Sequence, residues 1–423
     1  MNTTARPFPH DGAPLRRFVT SITDGPFGSS LTSSHYSDSG ARVIRLGNIG
    51  TASFRNADAA YIPLDYFESL RRHEVKAGDL LIAGLGDLNN PVGRACLAPN
   101  TASPAIVKAD CFRVRLDESR LLHRYAAWAL NSAPVTQRVS SLARGSTRSR
   151  INLEAARDIR IPVPSIEEQF RIADFLDTET RKLDNIVNKK RRLLHVLNER
   201  IDSRVLGHVG RSRLTLPETG DPTLPIRRLL TKVIRPPVAN EGVITAFRDG
   251  QVTERSLRRS EGYTLSATTE PQGQHVQVDD VVVHGLDGFA GAIGVSEASG
   301  NCSPVYHICV PACGGDGRFL ARLLRLLALQ GYLGNFATST RERAVDFRNW
   351  DLFGRINVPV VPAAEQVEIG AWIMQLQPLC TAIESSERLA SERRQALITA
   401  AVTGQFDVST ASGRNVTDGV PAS

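Results

Sequence analysis

The most constraining feature of this sequence is that the same signature occurs twice. Residues 159–169 read Ile-Arg-Ile-Pro-Val-Pro-Ser-Ile-Glu-Glu-Gln, and residues 356–366 read Ile-Asn-Val-Pro-Val-Val-Pro-Ala-Ala-Glu-Gln. Each copy opens a long stretch of periodic apolar residues, so the element that follows is duplicated as well. A duplicated chain without a short repeat usually offers two similar surfaces to a pseudo-symmetric partner. Double-stranded DNA is one such partner.

Further matches between the two halves occur in the same order along the chain. They pair residues 75–85 with 276–286, Gly93 with Gly294, 15–17 with 226–228, and 146–150 with 339–343. Chance could produce one match of this kind. Several in one order indicate a true internal duplication in which loops have gained and lost residues.

Composition limits the class of protein. At 423 residues the chain is too long for a single core. With 41% hydrophobic and 22% charged residues it has the composition of ordinary globular protein. The sequence shows no apolar run of the ~18 residues that a membrane span needs and no signal peptide, and its six irregularly spaced cysteines indicate intracellular free thiols rather than a disulfide framework. The net charge of +7 suits an anionic partner.

The fold predicted from these patterns is α/β (α+β), with two pseudo-repeated mixed domains joined by two long antiparallel helices that form a coiled coil. Short β-branched runs bounded by Gly and Asn indicate strands in both halves. The predicted segments are a tail at 1–14, a domain at 15–164, a helix at 165–208, a linker at 209–225, a second domain at 226–361, a second helix at 362–404 and a tail at 405–423.

The two long helices each carry one apolar stripe that must be buried. The first would measure about 65 Å at 1.5 Å per residue. If the helices bury their stripes on each other, they run antiparallel and act as a ruler between the domains. The alternative is that each helix packs on its own domain. Pro378 is expected to kink or split the second helix.

Polar loops supply the candidate binding chemistry. Hydroxyls, backbone N–H groups and Arg side chains in one loop are donors that phosphate oxygens accept from. The duplicated loops at 146–150 and 339–343 have this composition, although a solvated surface loop would have it too. Residues 24–30 form another polar loop, and residues 248–251 either serve instead in the second half or form an ordinary hairpin turn. The predicted DNA-contacting residues are Ser29, Ser30, Arg45, Asn48, Asn89, Arg94, Arg144, Ser146, Thr147, Arg148, Arg150, Arg248, Gln251, His284, Ser339, Thr340, Arg341 and Arg343.

Catalytic and metal motifs were sought and not found. The chain has no P-loop ending in Gly-Lys-Ser/Thr, no His-Glu-x-x-His and no Gly-x-Ser-x-Gly elbow. The group Cys302, His307, Cys309 and Cys313 could suggest zinc, but its spacing fits none of the usual paired knuckles, so buried thiols are the favoured interpretation.

With these residues described, the chain resembles the specificity (S) subunit of type I restriction-modification systems. Residues 161–169 resemble the family's Ile-Pro-x-Pro-Pro-x-Glu-Glu-Gln, with a weaker twin that ends in Glu365-Gln366. Residues 75–81 and 145–147 also resemble family elements. Ala364 and Pro378 depart from the pattern, which bears on the regularity of the second helix.

The resemblance implies a non-catalytic DNA reader with two target-recognition domains, one for each half of a split site. The helical spacer would dock two methyltransferase (M) subunits and then a restriction (R) subunit. The resemblance places this docking at Glu167, Glu168, Gln169, Glu365 and Gln366. S-adenosylmethionine, ATP and Mg would be bound by partner subunits, and no cofactor or metal by this chain. The assembled complex would methylate adenine and cut DNA with ATP, in a bacterial or archaeal cytoplasm.

Two other hypotheses remain beside this one. A coiled-coil adaptor for proteins alone predicts no salt-dependent affinity for DNA. A stand-alone enzyme on nucleic acid would need a catalytic constellation that the sequence does not show.

Overall fold

The computed structural model describes residues 12–87, 90–102, 104–143, 149–209, 222–258, 273–336 and 347–408. They belong to two compact units, one formed by Met1–Lys189 with Ser386–Ser423 and the other by Lys190–Ser385. Both unit boundaries fall inside the two long helices. Each unit therefore contains one globular module and parts of both helices.

The first module begins with a short strand and ends at the first long helix. Its elements are β1 (Ala13–Pro14), β2 (Val19–Thr23), β3 (Ala41–Ile44), β4 (Tyr61–Ile62), α1 (Leu64–Ser69), β5 (Glu74–Val75), β6 (Leu80–Ala83), β7 (Ala95–Leu97), β8 (Ala105–Val107), β9 (Cys111–Leu116), α2 (His123–Leu130), α3 (Ala133–Leu142), α4 (Leu153–Asp158), β10 (Arg160–Ile161) and α5 (Ile166–Val209).

Two four-stranded sheets form the first module, with strand orders β2-β9-β6-β7 and β4-β3-β8-β5. The apolar run Leu80–Ala83 is buried on both faces, which explains why it is continuous rather than alternating. Helix α2 packs against β6 and β7 and buries Tyr125 and Leu130 in the main core of the module. The strands β1 and β10 pair antiparallel and close the module at its entry and exit. Residues 13–14, predicted to be part of a tail, thus lie in a strand.

The second module repeats this order, again with ten strands among the residues that the structure describes. Its elements are β11 (Thr223–Pro225), α6 (Ile226–Leu229), β12 (Leu230–Val233), β13 (Ile244–Ala246), β14 (Val252–Glu254), β15 (Gln274–Val276), β16 (Val281–His284), β17 (Ile293–Val295), β18 (Gly300–Cys302), β19 (Tyr306–Pro311), α7 (Gly317–Leu329), α8 (Trp350–Phe353), β20 (Asn357–Pro359) and α9 (Ala363–Val402).

The sheet topology confirms the predicted pseudo-repeated fold. The second module has a sheet of order β12-β19-β16-β17, all antiparallel, which matches β2-β9-β6-β7 strand for strand. The pair β11·β20 corresponds to β1·β10. The parallel pairing of β3 with β8 is reduced in the second module to one parallel bridge, between Val243 and Asn301.

The turn before β6 and β16 shows how the two copies keep one geometry with different residues. Gly78 has φ +84° and its counterpart Asp279 has φ +70°, so both lie in the left-handed region. The next residue, Asp79 or Asp280, is buried and accepts a 2.7 Å bond from the backbone amide of Lys76 or Gln277. This is the physical basis of the match between residues 75–85 and 276–286.

The strand register corrects one pairing made from the sequence. Leu80 pairs with Leu97, and Val281 with Val295. Counting back from these pairs, Gly93 (φ +80°) corresponds to Gly291 (φ +95°) and not to Gly294. The loop between these strands is shorter in the second copy, so a constant offset in the sequence misaligns it.

The long helices run antiparallel within each unit. In the first unit the Arg394 guanidinium lies 3.0 Å from the Asp184 carboxylate (Nε to Oδ1). In the second unit Arg204 lies 2.8 Å from Glu368 and His208 lies 2.7 Å from Glu365. Numbers rise along α5 as they fall along α9, which is the antiparallel order predicted.

The ends of α9 and α5 also complete the cores of the modules. Leu397 and Ile398 of α9 join Ile172 of α5 in the core of the first module. Val205 of α5 and Ile369 of α9 join the core of the second. Both packing alternatives therefore apply, because the helices pack on each other and on a module at the same time.

The second helix is assigned without a break through Pro378, so the expected split is not observed. Pro378 removes the N–H that would bond the carbonyl of Met374. Met374 is 51% exposed, so this turn of the helix faces solvent and water can satisfy the carbonyl. At the end of the helix, Phe406 makes an edge-on contact with Phe175 at 5.6 Å between ring centroids, so part of the predicted tail is packed.

Candidate nucleic-acid interface

One end of the four-stranded sheet of the first module collects several loops. Thr23 pairs with Arg113 and Ala83 pairs with Cys111, so the end of β2, the end of β6 and the start of β9 are neighbours. Loops 24–36, 84–94 and 108–110 therefore emerge side by side. Leu85 also bridges to Arg150. We call this set of loops the loop end of the module.

The second module has an equivalent loop end, built from loops 234–242, 285–292 and 303–305. Gly84 donates its N–H to the carbonyl of Asp110 at 2.8 Å, and Gly285 donates to Val305 at 3.0 Å. A Cβ at Gly84 would lie 2.5 Å from the Phe112 ring, and one at Gly285 would lie 2.6 Å from the Val305 carbonyl oxygen. Glycine is required at both positions because the chains approach so closely.

Several predicted contact residues lie at these loop ends. Ser29 and Ser30 are exposed on loop 24–36. The Arg150 side chain is 54% exposed and its guanidinium lies 2.7 Å from the Asp110 carboxylate. His284 ends β16, and its Nδ1 lies 3.1 Å from the backbone nitrogens of Leu286 and Asp287, which donate to it. Burial lowers the pKa of His284, which keeps the ring neutral in this acceptor role.

Nine predicted contact residues lie outside the described residues: Asn89, Arg144, Ser146, Thr147, Arg148, Ser339, Thr340, Arg341 and Arg343. The described residues that follow the two duplicated loops do lie at the loop ends. Ile151 donates to the carbonyl of Gly84 at 2.9 Å, and Phe347 donates to Gly285 at 2.7 Å. The chain that follows each duplicated loop is therefore bonded to its module at the same place.

Arg94 and Asn48 are structural residues, contrary to the prediction that they contact DNA. Arg94 is 5% exposed, and its guanidinium donates to backbone carbonyls on two turns. These carbonyls belong to Leu46, Ile49, Leu85, Asn90 and Pro91, at 2.7 to 3.3 Å. Asn48 is 1% exposed and donates to the carbonyls of Arg55 and Ala57. Both side chains are buried and bonded to the backbone of their own module, so neither is exposed to a ligand.

The remaining predicted side chains are bonded within their own modules. Arg45 reaches Asp58 at 2.6 Å and is 30% exposed. Residues 247–251 form the hairpin turn between β13 and β14, which is the ordinary alternative. From this turn Arg248 reaches Asp287 of the second loop end at 2.9 Å. Gln251 donates instead to Glu297, beside a cavity of about 230 Å³.

Gln169 and Gln366, predicted to dock partners, are buried and bond to backbone. Gln169 is 0% exposed, accepts from the Leu122 amide at 2.9 Å and donates to the carbonyls of Arg120 and Pro164. Gln366 is 4% exposed, accepts from the Asp316 amide at 3.3 Å and donates to the carbonyl of Val361. Each Gln therefore fastens the start of a long helix to its module.

The three glutamates of the same motif have different surroundings. Glu167 is exposed and Glu168 is half-buried, both in the first turn of α5, where the helix dipole favours a negative charge. Glu365 pairs with His208. The surface that the motif offers to another protein thus consists of glutamates, while the glutamine lies inside.

An acidic group lies under the first loop end. Burial raises the pKa of Asp24 to about 6, and the nearby negative charge of Asp110 adds to this effect. The Asp24 carbonyl oxygen lies 2.5 Å from Nδ1 of His73, and its Oδ1 accepts from the Gly25 amide at 2.7 Å. The carboxyl group of Asp24 therefore helps to fix the start of loop 24–36.

Of the three thiols that raised the question of zinc, Cys302 and Cys309 lie in the interior and Cys313 is exposed. Burial raises the pKa of Cys302 and of Cys309 to about 12, so both are thiols at neutral pH. Within the parts of the chain that the structure describes, no group of His, Cys, Asp and Glu side chains is placed to hold a metal ion.

The architecture defines a class of protein with two topologically equal modules joined by a pair of antiparallel helices. Residues 69–195 match the family model of the type I restriction modification DNA specificity domain. One solved structure with the same fold is described as the structural basis of complex assembly and conformational transition of the type I R-M system. It aligns with 95% of this chain and 100% of its own length, with a TM-score of 0.51 and 13% identity.

Sequence relatives agree with the family model. The chain is 23% identical over 175 residues to the type I restriction enzyme MjaVIII specificity subunit of Methanocaldococcus jannaschii. It is 22% identical over 269 residues to the EcoKI specificity subunit of Escherichia coli. These alignments cover 40% and 64% of this chain, and 39% and 55% of the relatives, which is less than two thirds of their length. Over these parts the chain is similar to specificity subunits of type I restriction-modification systems, and the resemblance predicted from its sequence is confirmed.

In the described ranges, no helix combines the length and the apolar character that crossing a bilayer requires.

Proposed function

We propose that this chain is the sequence-specific DNA-recognition subunit of a type I restriction-modification complex. Each module reads one half of a bipartite site through its loop end. The observation that carries this proposal is the equivalence of the two loop ends, since Gly84 and Gly285 make the same pair of backbone bonds in both modules. Two similar reading surfaces on one chain match a split target on pseudo-symmetric DNA.

In this proposal the two long helices act as a ruler, so the unread gap between the half-sites has a defined length. Methyltransferase subunits dock on the spacer, with Glu167, Glu168 and Glu365 as the accessible part of the repeated motif. Those subunits bring S-adenosylmethionine and flip the target adenine out of the duplex. A restriction subunit supplies ATP-driven cleavage with Mg. This chain itself is a reader and contributes no catalytic group.

The test is to reconstitute the chain with a methyltransferase subunit and to map the modified adenines across a genome. The expected result is a motif of two short half-sites with a constant gap, protected in a footprint as two separate patches. The chain without its partner should neither methylate nor cut. A continuous motif, an absent motif or methylation by the chain alone would refute the proposal.

A module exchange provides the matched control. Replacing residues 15–164 with the corresponding module of another specificity subunit should change one half-site and leave the other half-site and the gap unaltered. A change in both half-sites would contradict the assignment of one module to each.

A further inference from the structure

Both modules expose apolar side chains on the loop that follows the first strand of the four-stranded sheet. Phe27 on loop 24–36 is 50% exposed, and Ile234 and Val238 on loop 234–242 are 77% and 43% exposed. Thr23 and Val233, the residues that end these strands, pair with Arg113 and Ile308. A lone exposed apolar residue is common on protein surfaces. Its recurrence at an equivalent place, in loops of different sequence, requires a shared cause.

The loop of the first module is fixed on both sides of Phe27. On one side the Asp24 carbonyl oxygen lies 2.5 Å from Nδ1 of His73, and Gly25 packs so closely on the backbone of Lys108 that no side chain would fit. On the other side Tyr66 donates its hydroxyl to the carbonyl of Ser30 at 2.8 Å. Phe27 is therefore held in solvent by its neighbours.

The loop of the second module is fixed by different bonds to the same effect. The Arg235 guanidinium binds both oxygens of the Asp280 carboxylate, at 2.5 and 3.0 Å. Val238 donates its amide to Asn301 at 2.9 Å and accepts from the same side chain at 2.6 Å. Two prolines lie between these anchors and fix the backbone further. Ile234 thus lies between a paired strand and an anchored arginine.

The surroundings of Phe27 are polar, whereas Ile234 shares its loop end with two further exposed apolar residues, Val238 at 43% and Leu286 at 40%. Ser29, Ser30 and Thr32 share the loop of Phe27, and the Lys108 ammonium lies 5.6 Å from the Tyr36 ring centroid. A protein-docking patch needs a contiguous apolar area, whereas a DNA groove needs donors for phosphates and single apolar groups for thymine methyls. Around Phe27 the arrangement favours the groove, and the equivalent place of Ile234 after the first strand extends the assignment to the second module.

We propose that Phe27 and Ile234 are base-reading side chains, each of which contacts the 5-methyl group of a thymine in the major groove of one half-site. This inference rests on the proposed function and extends it to specificity. It names two residues that the sequence patterns did not indicate.

The test uses the reconstituted complex with its methyltransferase subunit and duplexes in which single thymines are replaced by deoxyuridine. This change deletes only the methyl group. The wild-type complex should lose affinity about fourfold at one thymine in each half-site, the effect of about 0.8 kcal/mol per buried methyl group. Phe27→Ala should lose this discrimination in one half-site only, and Ile234→Ala in the other half-site only.

The matched controls are Leu64→Ala on α1 and Leu257→Ala, which truncate leucines that are 57% and 65% exposed in the same two modules. Both should retain full discrimination between thymine and deoxyuridine. Wild-type binding that ignores every methyl group would overturn the inference while leaving bipartite recognition intact. So would variants that discriminate normally but fail to assemble with the methyltransferase subunit, because that result would assign the side chains to protein docking. Absence of bipartite binding by the wild-type complex would refute the proposed function itself.

Discussion

Gln169 and Gln366 make corresponding bonds at the starts of the two long helices. Each side chain accepts from the backbone amide at the N-cap of a module helix, Leu122 for α2 or Asp316 for α7, and donates to a carbonyl of the chain that enters the long helix. The recurring Glu-Gln of the sequence is thus explained by its glutamine, which fastens the long helix to its module. Any contact of the neighbouring glutamates with partners would use the same motif.

The first prediction concerns this fastening. Gln169→Ala should lower the free energy of unfolding by about 1–3 kcal/mol, because a buried amide and two carbonyls lose their partner. Gln366→Ala should act in the same direction. Denaturant unfolding of the full chain measures the effect. Glu167→Ala, on the exposed face of the same turn, should stay within about 0.5 kcal/mol of wild type. Equal stability of all three variants would contradict the role assigned to the glutamines.

The second prediction separates two arginines of the first module. Arg94→Ala should destabilise the chain by at least about 3 kcal/mol, because five backbone carbonyls lose a charged donor. Arg150→Ala should change stability by less than about 1 kcal/mol, since its ion pair with Asp110 is exposed. DNA affinity should fall for the Arg150 variant although the fold is intact. Thermal melts and DNA titrations of both variants would show whether Arg94 acts on stability and Arg150 on DNA affinity.

The third prediction concerns the duplicated loops. If Arg148 and Arg341 neutralise phosphates, Arg148→Ala and Arg341→Ala should each reduce the slope of log affinity against log salt by about one. Arg17→Ala and Arg228→Ala are the controls, because these exposed arginines precede the first strand of each sheet, at the end opposite the loops. An unchanged slope in both loop variants, measured by DNA titration between low and moderate salt, would remove the phosphate assignment.

The fourth prediction is a pH dependence. The pKa of Asp24 is raised from 3.8 to about 6, chiefly by burial, so the folded chain holds this proton more tightly than the unfolded chain. Between about pH 4 and 6 the contribution of Asp24 to stability therefore falls as pH rises, and above pH 6 the full cost remains. Asp24→Asn should be more stable than wild type at pH 7, and the difference should vanish toward pH 4. Urea unfolding across this range tests it, and a difference that grows on acidification would reverse the sign.

The patterns in the sequence were sufficient to predict the architecture. The repeated signature, the buried run at Leu80–Ala83 and its counterpart at Val281–His284 led to a pseudo-repeated fold with antiparallel helices, and the fold is confirmed. These features are local, and the residues that produce them must recur wherever the element recurs. The misaligned Gly93 shows the limit, because loop length changes without any mark in the strands around it.

The candidate site was harder to predict because exposure and burial are set by tertiary packing. Arg94 has the residue type and the turn context of a phosphate contact, yet five carbonyls from two turns converge on it. Gln169 occupies a motif next to exposed glutamates but lies inside. Phe27 and Ile234 resemble core residues by type, and only the anchors on either side of them reveal that they are held outward.

The last turns of α9 have a consequence for how such chains can diversify. Leu397 and Ile398 belong to the core of the first module, although they lie in the second long helix, after the whole of the second module. A foreign first module introduced by recombination must therefore also pack against Leu397 and Ile398, which are encoded far downstream. New target specificities can therefore come only from first modules whose inner surface packs against the existing second helix. A chain shortened before Leu397 would lose the first module together with the end of the second helix.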